Sequence, residues 1–158
     1  MLMKHNSVLR RFSLVALFSI MLAVSFTSCD DDGWNPAPPA GYGDFWDSRL
    51  TGYWQLVGIN GYTVSGTDTN YMFFNGSGRG VYYYYLNGGR YSEVTAYWCQ
   101  RAVAGATRFQ MNLLYSDNSS ATTVNYWFAD GGRQLYMQWR NQSGVETYLY
   151  NAYPGAPW

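Results

Sequence analysis

Side chains that could carry acid–base or nucleophilic chemistry are scarce in this sequence. The only histidine, His5, and the only lysine, Lys4, lie within its first five residues. The chain from position 29 onward therefore cannot form a Ser-His-Asp triad, a Schiff base on lysine or a zinc site that contains histidine. Cys99 lies beside Trp98 in an apolar stretch with no base to activate it, so we expect a buried structural thiol.

Pairs of carboxylates are the remaining chemical possibility, because two acids roughly 5 to 9.5 Å apart can hydrolyse a glycosidic bond. Asp117 and Asp130 fall in predicted turns, and Asp68 lies in a polar loop, where aspartate typically caps the backbone. Only Glu93 and Glu146 fall within predicted strands. We therefore expect a protein that is not an enzyme and that has neither a cofactor nor a metal site.

Residues 1–28 have the pattern of a secretory signal. Lys4, Arg10 and Arg11 precede a 15-residue apolar run at positions 12–26. This run is shorter than the roughly 18 to 20 residues that cross a bilayer as a helix, which disfavours the alternative of a transmembrane anchor. Small residues then lead into Cys29, and three aspartates follow it.

The junction at Cys29 resembles a bacterial lipobox, in which the cysteine receives a diacylglyceryl thioether and the signal is cleaved before it. The aspartates at positions 30–32 resemble the acidic export signal that carries lipoproteins of some Gram-negative anaerobes to the outer cell face. These resemblances imply a lipoprotein that is acylated, for example with palmitate, and held in the outer membrane, exposed at the surface. More than one acyl chain would hold it stably.

Composition excludes a further class of function. From Cys29 onward, seven arginines stand against ten acids, which gives a net charge of −3. Most of this excess precedes residue 48, and from Thr51 onward six arginines nearly balance five acids. Such a chain has no basic field, so we exclude nucleic acid as a partner. Cys99 has no second cysteine to pair with once Cys29 is acylated, so the fold cannot depend on a disulfide.

The chain divides into a signal (residues 1–28), an acidic tether rich in proline and glycine (29–47) and one domain (48–158). Asp44 is the predicted cap of a short helical turn that reaches Leu50. Seven turn signals about 12 to 17 residues apart punctuate the domain, and Asn-Gly and Gly-Gly pairs suit the positive φ values of hairpin turns. The signals are Asn60-Gly61, Asn75-Gly76, Asn87-Gly88-Gly89, Ala104-Gly105, Asp117-Asn118-Ser119, Asp130-Gly131-Gly132 and Ser143-Gly144.

The segments between these turns alternate between apolar and polar residues, as half-buried strands do. Phe109, Met111 and Leu113 share one face of the clearest strand. The pattern predicts an all-β fold, an antiparallel up-and-down barrel of eight or nine strands, with a flattened sandwich as the alternative. The predicted inward side chains are Trp54, Leu56, Phe74, Val94, Trp98, Phe109, Met111, Leu113, Tyr126, Phe128, Leu135, Met137 and Trp139.

Three short motifs resemble those of lipocalins and of bacterial lipocalin-like lipoprotein domains. Gly52-Tyr53-Trp54 resembles the Gly-x-Trp opening of the first strand, residues 71–80 resemble an aromatic-Asn-x-x-Gly-x-Gly hairpin, and residues 135–139 resemble a late strand. The resemblance covers residues 48–152 and implies a cup for one small apolar ligand. It also implies that a late arginine, here Arg140, packs on Trp54 at the closed barrel end.

Two functions remain open from the sequence. The first is a binding module that holds a small apolar molecule inside the barrel against Trp98, Tyr126 or Trp139. The second is an interaction or structural protein with a filled core, which binds a glycan or a protein through outward rings at Tyr82 and Tyr84. The bulk of the predicted inward side chains favours a filled core, because an eight-strand barrel has room for little more than its own side chains.

Overall fold

The computed structural model describes residues 34–43, 45–64, 66 and 69–158. The predicted signal, Cys29 and Asp44 lie outside the described residues. Contacts divide the chain after Asn35, and the unit that runs from Pro36 to Trp158 contains all of the described strands. In the part of the chain that the structure describes, no helix is both long and apolar enough to cross a membrane.

Nine antiparallel strands are present among the described residues, and eight of them pair one after another in an up-and-down order. The last strand returns to pair with the first, from Tyr53 opposite Tyr153 to Ile59 opposite Tyr148. Eight strands therefore close into a lipocalin-like barrel, and the two-residue β2 extends the sheet beside the end of β1, so the predicted fold class is confirmed. The strands are β1 Gly52–Ile59, β2 Tyr62–Thr63, β3 Tyr71–Phe74, β4 Arg79–Leu86, β5 Gly89–Cys99, β6 Phe109–Tyr115, β7 Thr122–Ala129, β8 Gln134–Asn141 and β9 Gly144–Tyr153.

The predicted turn signals all fall at connections between strands, and two of their glycines, Gly89 and Gly144, are the first residues of β5 and β9. The β1–β2 and β4–β5 connections each place an asparagine and a glycine at successive positive φ values: 51° and 84° at Asn60-Gly61, and 51° and 78° at Asn87-Gly88. These are the backbone angles that two-residue hairpins require. The sequence thus predicted where the strands reverse direction because asparagine and glycine tolerate this conformation.

The middle of the barrel is filled by side chains. The core residues from the barrel wall are at most 4% exposed, which leaves no room for water beside them. They come from β1, β3 and β5 to β9, at alternating positions, as a closed sheet requires. These residues are Trp54, Leu56, Met72, Phe74, Tyr97, Cys99, Met111, Leu113, Val124, Tyr126, Leu135, Met137 and Tyr150.

The inward face of β5 differs from the prediction. Tyr97 and Cys99 lie in the core, where the Tyr97 ring packs edge-on 4.8 Å from Phe74. Alternation therefore places Val94 and Trp98 on the outer face. Val94 is 43% exposed there, whereas Trp98 is buried even though it lies on the outer face. The prediction was wrong because the second half of β5 is apolar on both faces, so its pattern did not distinguish them.

The faces of β4 are also reversed relative to the surface hypothesis. Tyr82 packs inside the barrel against Tyr115, with ring centroids 5.6 Å apart, and Tyr84 stacks on Tyr82 on the same face. Tyr83 takes the outer face beside Tyr53. The outward position predicted for Tyr82 and Tyr84 is therefore wrong. Four successive tyrosines give both faces of a strand the same chemistry, so only the neighbouring strands decide which face is inside.

Candidate functional site

One end of the barrel is sealed by the segment that leads into β1. Asp47 caps a 3-10 turn at Ser48–Leu50 by accepting the Arg49 backbone N–H, which makes it the cap in place of the predicted Asp44. The Asp47 carboxylate also accepts the Tyr126 hydroxyl at 2.9 Å and the Arg49 side chain at 2.8 Å. The Arg49 guanidinium lies over the Phe109 ring, 4.2 Å from its centroid. A buried carboxylate thus joins the turn to the core at the closed end.

Trp54 belongs to this sealed end. Its indole N–H donates to the Leu50 carbonyl at 2.6 Å, and its ring lies 6.0 Å from that of Phe128. Arg140, the predicted partner of Trp54, is an exposed residue near the end of β8. Because β8 starts at the sealed end and runs away from it, Arg140 lies at the opposite end of the barrel. That prediction is wrong: the arginine nearest to Trp54 in this packing is Arg49, whose guanidinium lies over the Phe128 ring, 4.8 Å from its centroid.

At the sealed end the pKa of Asp47 is lowered, whereas the pKa values of Tyr126 and Cys99 are raised. Burial raises the pKa of Asp47, but hydrogen bonds from Arg49 and Tyr126 lower it more, so its pKa falls below its usual value. Burial, together with the nearby Cys99 and Asp47, raises the pKa of Tyr126 far above its usual value, and burial likewise raises that of Cys99. Tyr126, a predicted ligand contact, is completely buried here and is part of the structure of the core.

The other end carries partly exposed rings on its inner face. Tyr82 and Tyr84 stack with centroids 5.2 Å apart, and Tyr91 continues the stack 5.6 Å from Tyr84. Tyr84 and Tyr91 are direct partners across the β4–β5 ladder, and Tyr82 packs on Tyr115 of β6. These residues form one wall of the open end.

A second pair of rings, on β8 and β9, also faces inward at the open end. Trp139 stacks on Tyr148 with centroids 4.3 Å apart, and both pack against the core. Trp139 is thus the one predicted inward ligand contact that is partly exposed at the open end. We call the whole set the aromatic cup. It consists of Tyr82, Tyr84, Tyr91, Tyr115, Trp139 and Tyr148.

Two carboxylates lie among these rings. Glu93 is the ladder partner of Tyr82 and accepts the Asp117 backbone N–H at 3.1 Å. Glu146 accepts the Tyr148 hydroxyl at 2.9 Å. Neither glutamate is part of an ion pair between described residues. The ion pairs between described residues are Arg49–Asp47 and Arg133–Asp130.

Several ionisable groups of the aromatic cup have raised pKa values. Burial and the Glu146 carboxylate raise the pKa of Tyr148 to about 12. Burial is also the main cause of the raised pKa values of Tyr82, Tyr115 and Glu93. The Tyr82 hydroxyl accepts a hydrogen bond from the Asn70 side chain at 2.7 Å, which ties the β2–β3 loop to the cup. The cup therefore offers flat rings, neutral hydroxyls and carboxylate acceptors.

A separate groove of about 290 Å³ lies on the outer face beside β1, β8 and β9. Tyr62, which is 80% exposed, and Tyr136 line it, above a floor that includes Gly58 and Leu149. Tyr136 stacks on Trp127 with their planes only 3° apart. Trp127 and Tyr136 both lie on the outer face of the barrel, because they alternate with the core residues Tyr126, Leu135 and Met137.

The predicted site residues are thus dispersed. Cys29 lies outside the described residues, Trp98 lies on the outer face, Tyr126 lies in the sealed end, and Trp139 joins Tyr82 and Tyr84 in the aromatic cup. Sequence reasoning missed Glu93 and Glu146 as members of this site. The available signal was their place near strand ends at positions that share a face with core residues.

No protein-family model, no curated protein and no solved structure matches this chain. The fold and the site define its class: a closed, lipocalin-like antiparallel β-barrel with one sealed end, a filled middle and an aromatic cup at the other end.

Proposed function

We propose that this protein is a non-catalytic binding module, anchored by lipid at the outer membrane, that takes one small, mainly apolar molecule into the aromatic cup. The observation that carries the proposal is the contrast between the two ends of the barrel. Asp47 and Arg49 close one end, whereas partly exposed rings line the inside of the other. Covering partly exposed apolar rings with a ligand is favourable, because it removes apolar surface from water.

The cup favours a flat ligand that also carries a hydrogen-bond donor. Offset stacking and edge-on contacts suit ring-shaped molecules, and the Trp139–Tyr148 and Tyr82–Tyr84 pairs present such faces. Glu93 and Glu146 are acceptors without an arginine or lysine partner among the described residues. An amino group on the ligand would supply that partner. The filled middle limits the ligand to the depth of the cup.

The anchor rests on the sequence around Cys29 and on where the chain joins the barrel. Residues 45–50, which lead into β1, pack at the sealed end, opposite the cup. Labelling cells with a palmitate analogue tests the anchor. We expect Cys29→Ala to abolish labelling and Cys99→Ala, which changes the buried cysteine, to retain it. Labelling that survives Cys29→Ala would refute the anchor.

The ligand proposal is tested by native mass spectrometry of the purified full-length protein and by titration with 1-aminoanthracene, a flat apolar amine. We expect a co-purifying small molecule or saturable binding of the probe. Trp139→Ala should weaken probe binding by about fivefold or more, since a lost stacking contact is worth about 1 kcal/mol or more. Tyr136→Ala is the matched control, because it removes a ring from the outer face of the same strand. Equal effects of the two substitutions would refute the cup as the site.

A second candidate is glycan binding in the outer groove, which the 80% exposure of Tyr62 favours. Large exposed rings beside a groove are typical of surfaces that bind a partner. Here Tyr62→Ala and Tyr136→Ala should abolish retention on immobilised glycans and leave binding of 1-aminoanthracene unchanged. Retention by both variants would refute this candidate.

A further inference from the structure

A second pocket lies outside the barrel wall at the sealed end. It has a volume of about 210 Å³ and is formed by the β5–β6 loop together with the starting half of β6 and the middle of β7. Arg101 and Arg108 line it together with Gln100, Gln110 and Asn125, and no aspartate or glutamate is among its lining residues. We call it the arginine pocket.

The two guanidinium groups are held by aromatic faces. The Arg101 guanidinium carbon lies 5.1 Å from the centroid of the Phe45 ring, and that of Arg108 lies 4.3 Å from Trp127. Stacking uses the face of a guanidinium and leaves the N–H groups at its edge available for hydrogen bonds. Neither arginine belongs to an ion pair between described residues. Among the described residues, the two positive charges of the pocket are therefore not paired with an acid, and their guanidinium N–H groups can donate hydrogen bonds to a ligand.

The amides of the pocket are ordered by a chain of hydrogen bonds. The Tyr42 hydroxyl donates to the Gln110 side-chain oxygen at 3.0 Å, and the Gln110 amide nitrogen donates to the Asn125 oxygen at 3.3 Å. This direction leaves the Asn125 amide nitrogen, a donor, at the end of the chain beside the pocket. Arginine and amide donors facing one small concavity suit a ligand that only accepts hydrogen bonds.

We propose that the arginine pocket binds a small oxyanion of the phosphate type, independently of the aromatic cup. Guanidinium forks match the tetrahedral oxygens of phosphate and form charge-assisted hydrogen bonds with them. The same chemistry is offered by free phosphate and by the phosphate of an acidic lipid headgroup. The pocket lies at the end where the chain from Pro36 joins the barrel.

The test is a titration of the full-length protein with inorganic phosphate. Binding is monitored through the NMR signals of the arginine Nε–H groups and of the asparagine and glutamine side-chain amides. We expect saturable shifts at Arg101, Arg108 and Asn125. The double substitution of Arg101→Gln and Arg108→Gln should weaken binding by at least about tenfold, because charge-assisted hydrogen bonds are lost. Arg140→Gln, which removes an exposed arginine at the opposite end, should leave the affinity unchanged.

A second titration distinguishes the sources of the oxyanion. Dihexanoyl phosphatidic acid, a soluble lipid, replaces inorganic phosphate: tighter binding assigns the pocket to a headgroup, and equal binding assigns it to free phosphate. Arg108→Lys keeps the positive charge but loses the paired N–H donors of the guanidinium. If this variant binds phosphate more weakly than wild type, the result supports recognition by the guanidinium even if the double variant does not fold. The proposal is overturned if neither compound gives saturable shifts at the pocket, or if Arg140→Gln weakens binding as much as the double substitution.

Discussion

Replacing Asp47 by alanine should destabilise the barrel far more than removal of an exposed acid. Asp47 is 8% exposed and accepts hydrogen bonds from the Arg49 backbone, the Arg49 side chain and the Tyr126 hydroxyl. Asp130 provides the matched control, because its ion pair with Arg133 is on the surface, with 51% of the Asp130 side chain exposed. Both substitutions remove one carboxylate that is paired with an arginine.

The expected magnitude follows from the three groups that lose their acceptor. Loss of the cap costs about 1 kcal/mol. Leaving the completely buried Tyr126 hydroxyl unpaired costs about 1 to 3 kcal/mol. The half-exposed Arg49 pair adds about 0.5 kcal/mol. Asp47→Ala should therefore lower the free energy of unfolding by about 3 kcal/mol, whereas Asp130→Ala should lower it by at most about 0.5 kcal/mol.

The assay is equilibrium unfolding in urea, monitored by tryptophan fluorescence. Tyr126→Phe alone should cost about 2 kcal/mol, because it removes one hydrogen bond to a charged acceptor. In the Asp47→Ala background the same change should raise stability, because it removes the unpaired hydroxyl. Equal effects of Asp47→Ala and Asp130→Ala would refute the reasoning, as would a Tyr126→Phe cost that is the same in both backgrounds.

The contribution of Asp47 should also depend on pH in a defined direction. Its pKa is lower in the folded state than its usual value, so folding favours the ionised form. The stability gain is therefore complete above the unfolded pKa of about 3.9 and is lost as the pH falls through the folded pKa. The difference in stability between wild type and Asp47→Ala should be constant near neutrality and should shrink below about pH 4.

Three further predictions concern the β3–β5 region. The Thr95 hydroxyl is buried with no hydrogen-bond partner among the described residues. Thr95→Val should therefore raise the free energy of unfolding by about 1 kcal/mol. A lower free energy of unfolding for this variant would contradict the prediction. At Gly80 an added Cβ would lie 2.7 Å from the Thr95 hydroxyl and closer still to the Phe73 carbonyl oxygen. Gly80→Ala should therefore lower the free energy of unfolding in urea by about 2 kcal/mol. Gly155→Ala is the control and should be nearly neutral, because an added Cβ there has no atom within 4 Å. Burial raises the pKa of Cys99, which is 1% exposed, so a thiol reagent should modify it at least about a hundredfold more slowly in the native protein than in urea.

Strand positions and their antiparallel order were predictable from local sequence. Asn60-Gly61 and Asn87-Gly88 adopt the positive φ values of tight hairpins, and few other residue pairs do so easily. In β6 the alternation of Phe109, Met111 and Leu113 with polar residues also predicted the inner face correctly. Local pattern suffices where one face of a strand is apolar and the other is polar, because only one orientation then buries the apolar side chains.

The candidate sites depended on the tertiary structure. Tyr82 and Tyr83 have the same side chain on opposite faces, and Tyr97 and Trp98 are equally apolar, so a period of two residues could not say which of them faces inward. The closed sheet decides this, because Tyr82 must pack on Tyr115, a residue 33 positions later in the chain. The aromatic cup and the arginine pocket combine residues from several strands in the same way. The sequence by itself determined where the chain turns and which strands have one polar face; closure of the barrel decided which rings meet, because contacts between distant residues form only once every strand is in register.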